Sequence, residues 1–304
     1  MIASGAFGGR SYAVLGLARS GRAAVATLLA SGARVLAWDK SEPARAALPA
    51  AEGLTVDDPL TADLSGFAGI VVSPGVPLNR HPIAARAADA GVPVIGDIEL
   101  FAQARPDLPP HKVVGITGTN GKSTTTALVH HILASAGIPA AMAGNIGYPI
   151  LARDPLPAGG VYVLELSSYQ LDLTHGLDCD VAVLLNITPD HLDRYGSFEA
   201  YRASKLRLFE MQSRDHRAIY HFDSDEAEHV LEIRGDDAGG FWFTADRVGH
   251  LEHQAEWPAL QGPHNALNAA AAVMTAHALQ VPDHAIAQHD RHRADRRRFD
   301  RAGP

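Results

Sequence analysis

Residues 112–123 read KVVGITGTNGKS, an apolar strand followed by a glycine-rich loop that opens a helix. Glycines let a backbone curl around phosphate oxygens, and the N–H groups at a helix start supply positive potential there. In this setting Lys122 is placed to reach the outer phosphates of a nucleotide, and Ser123 is placed to ligate Mg²⁺. The spacing differs from the usual phosphate loop, because Ile116 stands where its first glycine would be. The segment predicts a nucleotide-binding α/β unit; the alternative is a strand–helix turn without a ligand.

Strand and helix signals alternate on both sides of this loop. Apolar runs predict strands at residues 12–17, 34–38, 69–72, 92–95, 112–116, 160–165 and 180–186, with weaker candidates at 219–222 and 241–243. Helical patterns are predicted at residues 21–30, 122–136, 197–211 and 265–279. Strands separated by helices indicate parallel sheets of an α/β protein. The polar, proline-rich segment 103–110 is expected to link two such domains.

Composition narrows the class of protein. The net charge of −8 argues against a general nucleic-acid surface, and no apolar run approaches the roughly 20 residues of a membrane span. The first ten residues lack the pattern of a secretory signal. The single cysteine, Cys179, excludes a disulfide framework and is expected to be a small buried residue rather than a nucleophile. We expect a cytoplasmic monomer that binds no nucleic acid and does not insert into a membrane.

The last sixteen residues, 289–304, differ in character from the rest of the chain. They contain six Arg, three Asp and two His, and Phe299 is their only large apolar residue. Such a segment cannot bury a useful core, so disorder or a ragged helix is expected. One hypothesis is a foreign reading frame or a truncation scar, and the alternative is a basic tail that binds an anionic partner.

Two predicted strands end in acidic or polar groups. Glu165 closes the strand at 160–165, at the sheet edge where α/β proteins bind ligands, and a carboxylate there suits Mg²⁺. Taken alone, Glu165 could equally be a structural acid. The loop 186–194 follows the next strand and places His191 between Asp190 and Asp193. This crowding favours a functional site over a structural histidine.

Lys205 stands out because lysine is scarce. The chain has four lysines against 22 arginines, so a retained lysine suggests a role that arginine cannot fill. Helical spacing alone would make Lys205 an ordinary solvated side chain.

A second glycine-rich loop, GLARSG at residues 16–21, follows the first predicted strand. It is close to the dinucleotide-binding pattern, and Asp39 lies where a ribose-binding acid could stand. Alone, these features suggest a nicotinamide-dependent dehydrogenase. Ala18 replaces the middle glycine, however, and would crowd a pyrophosphate. A simple tight turn is the other alternative.

Four motifs together resemble the Mur ligase family: GITGTNGKST at 115–124, LELSSYQL at 164–171, NITPDHLDRY at 186–195 and GDIELF at 96–101. The first is shared across the wider family, including folylpolyglutamate synthases. The other three are similar to the members that add D-glutamate, and differ from the diaminopimelate-, alanine- and dipeptide-adding members. The resemblance covers residues 12–288, nearly the whole chain.

The resemblance implies an α/β fold in two parts. Residues 1–102 would form a Rossmann-like parallel sheet that binds the UDP part of the substrate rather than NAD, and residues 103–288 a P-loop-type α/β central domain that binds ATP. We expect the third, C-terminal domain of the family, which binds D-glutamate, to be absent, and the stretch 242–263 is shorter than in the family. Without that domain, positioning of the amine and exclusion of water would be lost. Two functions therefore stay open: a ligase, and an inactive module that binds UDP-sugar and nucleotide.

The resemblance also implies site residues. Those expected to bind ATP are Gly118, Thr119, Asn120, Gly121, Lys122, Ser123, Thr124, Asn265 and Asn268, the last two facing the adenine. Those expected to bind the UDP substrate are Arg19, Ser20, Asp39, Lys40, Gly75, Asn145 and His191. Those expected to hold two Mg²⁺ ions are Ser123 and Glu165 for one, and His191 and Lys205 for the other. Lysine at the last position is carbamylated in the family. The implied catalytic residues are Lys122, Glu165, His191 and Lys205.

The reaction implied is ADP-forming amide synthesis in the assembly of peptidoglycan precursors. The carboxylate of UDP-N-acetylmuramoyl-L-alanine would attack the γ-phosphate of ATP and give an acyl phosphate. The amine of D-glutamate would then displace phosphate. Lys122 and two Mg²⁺ ions would neutralise the charge that develops.

Overall fold

The computed structural model describes residues 1–221, 224–235, 241–243 and 261–288. Its strands are β1 Ser11–Leu15, β2 Arg34–Trp38, β3 Leu54–Val56, β4 Gly69–Val72, β5 Val94–Ile95, β6 His111–Thr117, β7 Ala140–Gly144, β8 Gly160–Glu165, β9 Val181–Leu184, β10 Arg217–His221 and β11 Phe241–Phe243. Its helices are α1 Arg19–Ala30, α2 Glu42–Ala46, α3 Ile83–Ala90, α4 Asp97–Ala104, α5 Lys122–Ser135, α6 Ser168–Asp172, α7 Leu192–Tyr195, α8 Phe198–Glu210, α9 Glu226–Arg234, α10 Pro263–Ala278 and α11 Asp283–Gln288.

The strands form two parallel sheets, which confirms the predicted α/β class. The first sheet has the order β3-β2-β1-β4-β5, and the second has the order β11-β10-β9-β6-β8-β7. In each sheet the strand order reverses beside the strand that precedes a glycine-rich loop, β1 in the first and β6 in the second. Such reversal points form crevices at the carboxyl ends of the strands. Both glycine-rich loops therefore open into a crevice.

The two sheets share one apolar core through α4. Ile98, Leu100 and Phe101 of α4 are buried in a cluster that includes residues of both sheets, and the Phe101 ring lies 5.1 Å from the ring of Tyr162 in β8. Alternate residues of β6 point to opposite faces, so Val113 joins this cluster and Val114 joins the cluster beneath α5 and α10. The phosphate loop thus starts from a strand that is fixed on both faces.

Several sequence predictions match the structure and some do not. The strands predicted at 34–38, 69–72, 160–165 and 241–243 have the observed bounds, and Ser197 caps α8 by accepting a hydrogen bond from the N–H of Ala200. The predicted linker 103–110 is partly helical, because α4 continues to Ala104 and a 3-10 helix follows at Arg105–Asp107. The apolar side chains of α4 are buried, and packing decides the local conformation there. Strand β7 was missed because its sequence, AAMAG, is poor in strand-forming residues.

Other predictions concern single residues or undescribed segments. Cys179 is fully buried, and burial raises the pKa of its thiol to about 12, as expected for a structural cysteine. The tail 289–304 and most of the stretch 242–263 lie outside the described residues. No helix among the residues that the structure describes is long and apolar enough to cross a membrane.

Candidate active site

The phosphate loop, residues 118–121, needs glycine at two positions. Gly121 has φ 86°, in the left-handed region, and a Cβ atom there would lie 2.2 Å from Oδ1 of Asn268 in α10. Gly118 has φ 153°, and its Cβ would lie 3.1 Å from Cβ of Leu185. The loop is therefore enclosed by α10 on one side and by the end of β9 on the other.

Asn186, two residues after the end of β9, holds the loop in place. Its backbone carbonyl accepts a hydrogen bond from the N–H of Thr119 (2.8 Å), and its side-chain Oδ1 accepts one from the N–H of Asn120 (2.9 Å). Its Nδ2 donates to the carbonyl of Asn120 at 3.0 Å. Asn186 is not among the predicted site residues, although its place at a strand end in the 186–195 motif was a signal that could have identified it.

Two lysines meet on one carbonyl of the loop. Lys122 Nζ donates to the carbonyls of Gly118 and Thr119, and Lys205 Nζ donates to the same Gly118 carbonyl, each at 2.8 Å. Burial lowers the pKa of Lys122, against the opposing effect of Glu165. Burial, with a smaller effect of Lys122, lowers the pKa of Lys205 to about 7. Two poorly solvated lysine nitrogens thus meet at the loop, and an anion bound there would stabilise their charged forms.

Lys205 is buried, with only 1% of its surface exposed. Helical spacing alone predicts a solvated lysine. This prediction is wrong because this face of α8 packs towards the sheet. The side chain lies beneath the ring of Tyr201, with Nζ 4.7 Å from the ring centroid. The hydroxyl of Tyr201 is 3.1 Å from Oγ1 of Thr119, so Tyr201 joins the lysine to the loop.

The Glu165 carboxylate connects the ends of β7 and β8 with the start of α5. Ser123 Oγ donates to its Oε2 at 2.7 Å, and Asn145 Nδ2 donates to its Oε1 at 2.8 Å. Glu165 is 1% exposed and forms no salt bridge with any residue in the described ranges. A buried carboxylate normally needs a cation or several donors, and a carboxylate beside a hydroxyl is an oxygen ligand set that Mg²⁺ prefers. These residues fit the implied metal.

His191 lies at the mouth of the crevice. Its backbone is left-handed with φ 52°, and its imidazole lies between the rings of Tyr169 and Tyr201, at centroid distances of 5.1 and 6.0 Å. Asp190 is its acidic neighbour, with Oδ2 3.6 Å from Nε2 of the imidazole. Tyr201 is the residue that contacts both His191 and Lys205. Among the described residues no three His, Cys, Asp or Glu side chains cluster as a metal site, so the second metal position stays a prediction.

Asn265 and Asn268 stand at the start of α10, beside the phosphate loop. Asn268 Nδ2 donates to Oδ1 of Asn265 at 3.2 Å, and Asn268 is the residue that a side chain at position 121 would strike. This places both asparagines next to the loop. That they face an adenine stays a prediction.

The first glycine-rich loop, residues 16–21, is tied to its own sheet. A Cβ at Gly21 would lie only 1.8 Å from the carbonyl oxygen of Gly16, which also accepts a hydrogen bond from Ser73 Oγ at 2.9 Å. Asp39 accepts from the N–H groups of Leu17 (2.7 Å) and Ser41 (2.8 Å). One carboxylate oxygen of Asp39 therefore supports the loop, and the other supports Ser41, which caps α2.

The remaining predicted substrate residues lie around the same crevice. Arg19, Lys40 and Gly75 are exposed, and Ser20 is half-buried. Beneath them is Asp97, a residue that the sequence did not single out as functional. It is 3% exposed and its Oδ2 has no hydrogen-bond partner among the described residues. Burial raises the pKa of Asp97, while the nearby Ser20 and Gln170 side chains act in the opposite direction.

Two parallel sheets, each with a glycine-rich loop at its reversal point, define an α/β protein, and comparison with known proteins identifies its family. Residues 116–276 match the Mur ligase middle domain, and residues 10–96 match the N-terminal domain of MurD-like Mur ligases. The chain belongs to the Mur ligase family, as its motifs predict.

Similar proteins make the resemblance more specific. The chain is 61% identical over 297 residues to a UDP-N-acetylmuramoylalanine–D-glutamate ligase of Sphingopyxis alaskensis, covering 94% of this chain and 65% of that relative. It is 61% identical over 287 residues to the enzyme of the same name from Novosphingobium aromaticivorans, covering 93% and 63%. The chain thus spans somewhat less than two thirds of the length of these relatives.

A solved structure supports the fold. The UDP-N-acetylmuramate:L-alanyl-gamma-D-glutamyl-meso-diaminopimelate ligase from Neisseria meningitides superposes with a TM-score of 0.58 at 18% identity, covering 90% of this chain and 94% of that chain. At this identity the likeness concerns the fold alone.

Proposed function

We propose that this chain binds a UDP-sugar substrate on its first sheet and ATP at the phosphate loop of its second. Together these sites would serve the addition of D-glutamate to UDP-N-acetylmuramoyl-L-alanine. One observation carries the proposal: Lys122, Glu165 and Lys205, from three different elements, converge on the loop after β6 and the first turn of α5. The names of the relatives that share 61% identity support the choice of substrates. We also propose residues 1–102 and 103–288 as the two domains, in a cytoplasmic monomer.

The phosphates of ATP would replace the loop carbonyls as partners of Lys122. Lys122 now bonds to the carbonyls of Gly118 and Thr119, and a phosphate is a better acceptor for an ammonium group than a neutral carbonyl. The first N–H groups of α5 have no partner within the helix and would bind the same phosphates. Asn265 and Asn268 would contact the adenine at the side of the loop closed by α10.

Ser123 and Glu165 would hold one Mg²⁺, and His191 with Lys205 the other. When bound, Mg²⁺ would neutralise charge on the phosphates. Lys205 fits its part because a pKa of about 7 leaves much of it as a neutral amine near neutral pH. A neutral amine can add CO₂ and lose a proton, which turns this lysine into a carbamate with oxygen ligands. Asn145 supports the arrangement from β7 by holding the second oxygen of Glu165.

In the proposed reaction the carboxylate of the sugar nucleotide attacks the γ-phosphate, giving an acyl phosphate and ADP. The amine of D-glutamate then displaces phosphate and forms the amide. Lys122 would stabilise the charge on the transferred group, and His191 and Asn145 would orient the muramoyl-alanine end.

The test is phosphate release by the 304-residue chain with ATP, Mg²⁺, UDP-N-acetylmuramoyl-L-alanine and D-glutamate, alongside titration with each ligand. Release that depends on all substrates and is lost in Lys205→Ala supports the ligase. Release unchanged by that substitution refutes the metal-bridging role of Lys205. Binding of both nucleotides without release favours the second candidate, an inactive binding module. Binding of NADH by the first loop would favour a dehydrogenase instead.

A further inference from the structure

The side chain of Arg194, in α7, crosses from the second sheet to the first. Its Nη1 donates to the carbonyl of Pro74 at 3.2 Å, and its Nη2 donates to the carbonyl of Val76 at 3.3 Å. The guanidinium carbon lies 3.6 Å from the ring centroid of Tyr169, a stacked cation–π contact. One side chain thus contacts both halves of the molecule.

The connection is also made in the opposite direction. Asn79 Nδ2 donates to the backbone carbonyl of Arg194 at 3.1 Å, and Arg80 Nη2 donates to the carbonyl of Asp193 at 3.4 Å. We call the contacts between residues 73–80 and 193–194 the clasp. Arg194 forms no salt bridge within the described ranges, so its charged group serves to bind neutral carbonyls and a ring.

Each end of the clasp lies directly beside a candidate binding residue. Pro74 and Val76 flank Gly75, and Ser73 ties the same turn to the loop at Gly16 through its hydroxyl. At the other end, the Tyr169 ring that Arg194 stacks on also contacts the imidazole of His191. A continuous set of contacts therefore runs from the first loop to the mouth of the ATP crevice.

We propose that Arg194 is a positioning residue that fixes the Gly75 turn against His191, so that a bound sugar nucleotide and a bound nucleotide keep one relative position. The inference rests on the proposed function and adds to it a coupling between the two sites. Arginine suits this role because its planar fork donates to two carbonyls while its face stacks on a ring. Lysine would supply a point charge without the planar face that stacks on the ring.

The test is calorimetric titration of the full chain with Mg·ADP, in the absence and presence of saturating UDP-N-acetylmuramoyl-L-alanine. The ratio of the two ADP affinities measures the coupling, which for coupled sites is on the order of 5- to 150-fold. In Arg194→Met we expect this ratio to fall to about 1 while ADP affinity measured alone stays within about twofold. Arg194→Lys should retain part of the coupling. Arg80→Met, which removes one long hydrogen bond of the same clasp, is the control and should keep the wild-type ratio.

A general loss of stability would not change the ratio selectively, so the readout separates positioning from folding. A wild-type ratio of 1, or an unchanged ratio in Arg194→Met, overturns the inference. If Arg194→Met does not fold, the test uses Arg194→Lys instead. Full wild-type coupling in Arg194→Lys would contradict the proposed role of the guanidinium fork.

Hydrogen exchange tests whether Arg194 holds the clasp together, and it requires no ligand. In Arg194→Met, amides of residues 73–80 and 191–196 should exchange faster than in the wild type, while those of 118–123 should not change. If the wild type binds neither nucleotide, the proposed function fails, and this comparison still tests the clasp. Unchanged exchange in both segments overturns it.

Discussion

The two glycine-rich loops, 16–21 after β1 and 118–121 after β6, follow the same strand–loop–helix course but face different surroundings. In both loops the glycines make room for protein atoms, and in the first loop Asp39 already accepts the N–H of Leu17. In the second loop the side-chain nitrogens of Lys122 and Lys205 share the carbonyl of Gly118. A glycine pattern therefore indicates a tight turn, and the charged groups brought to that turn by the fold decide which ligand it can bind.

The largest expected effect is that of Gly21→Ala in the first loop. The new Cβ would lie 1.8 Å from the carbonyl oxygen of Gly16, and neither backbone can move freely. We expect a loss of about 3 kcal/mol or more in the free energy of unfolding, measured by urea denaturation. Gly75→Ala is the matched control, since no atom lies within 4 Å of its Cβ position. Equal unfolding midpoints for both variants would show that the first loop is not held by this contact.

The second expected effect is on metal dependence. Glu165→Gln keeps the size of the side chain but removes the charge beside Ser123, so the Mg²⁺ concentration needed for ADP binding should rise by about 100-fold. Asp39→Asn makes the same kind of change at the first loop and should leave that concentration unaltered. A Mg²⁺ titration at fixed ADP measures both. If the two variants behave alike, Glu165 has no special relation to the metal.

The third effect concerns support of the phosphate loop. Asn186→Ala removes two hydrogen bonds to the backbone of Asn120, and we expect ADP affinity to fall by about tenfold, or about 1.4 kcal/mol. Asn79→Ala removes an asparagine outside this loop and should leave ADP affinity unchanged. Calorimetry that gives wild-type affinity for Asn186→Ala would contradict the supporting role.

The smallest effect is a pH dependence at the base of the first loop. Because burial raises the pKa of Asp97, the folded state holds this proton more tightly than the unfolded state. The free energy of unfolding should therefore fall as pH rises from about 4 towards the folded pKa, by less than about 1.4 kcal/mol between pH 4 and 5. Asp97→Asn should lack this decrease.

Asp63 supplies a control of opposite sign. It is exposed, and hydrogen bonds from Ser65 lower the pKa of its carboxyl, so its contribution is lost as pH falls. Urea denaturation at several pH values measures how the contributions of Asp97 and Asp63 to the free energy of unfolding change with pH. A wild-type protein and an Asp97→Asn variant with parallel pH profiles would mean that Asp97 is not held in its protonated form.

The sequence allowed much of the second crevice to be predicted because its signals are local. The strand, the glycines and Lys122 lie within twelve consecutive residues, and Glu165 closes a strand whose bounds follow from its apolar run. The two-sheet α/β fold follows from the same alternation of strands and helices.

Other features depend on distant parts of the chain and could not be predicted. The scarcity of lysine and the family motifs indicated a role for Lys205, but helical spacing makes it an ordinary surface residue, and only the packing of α8 places it on the carbonyl of Gly118, 87 residues away in sequence. The contact of Arg194 with Pro74 joins residues 120 positions apart. Helix α4 was missed because the neighbouring prolines indicated a linker, while the buried face of the helix packs against both sheets.

One measurement tests the division of roles between the loops most directly. The chain is titrated with Mg·ADP and with UDP-N-acetylmuramoyl-L-alanine, as the wild type, as Lys122→Met and as Arg19→Met. We expect Lys122→Met to lose about 100-fold in ADP affinity while it still binds the sugar nucleotide. Arg19→Met should lose about 100-fold in affinity for the sugar nucleotide while it still binds ADP. Unchanged ADP binding in Lys122→Met, or its loss in Arg19→Met, would contradict the assignment of the nucleotide to the loop after β6.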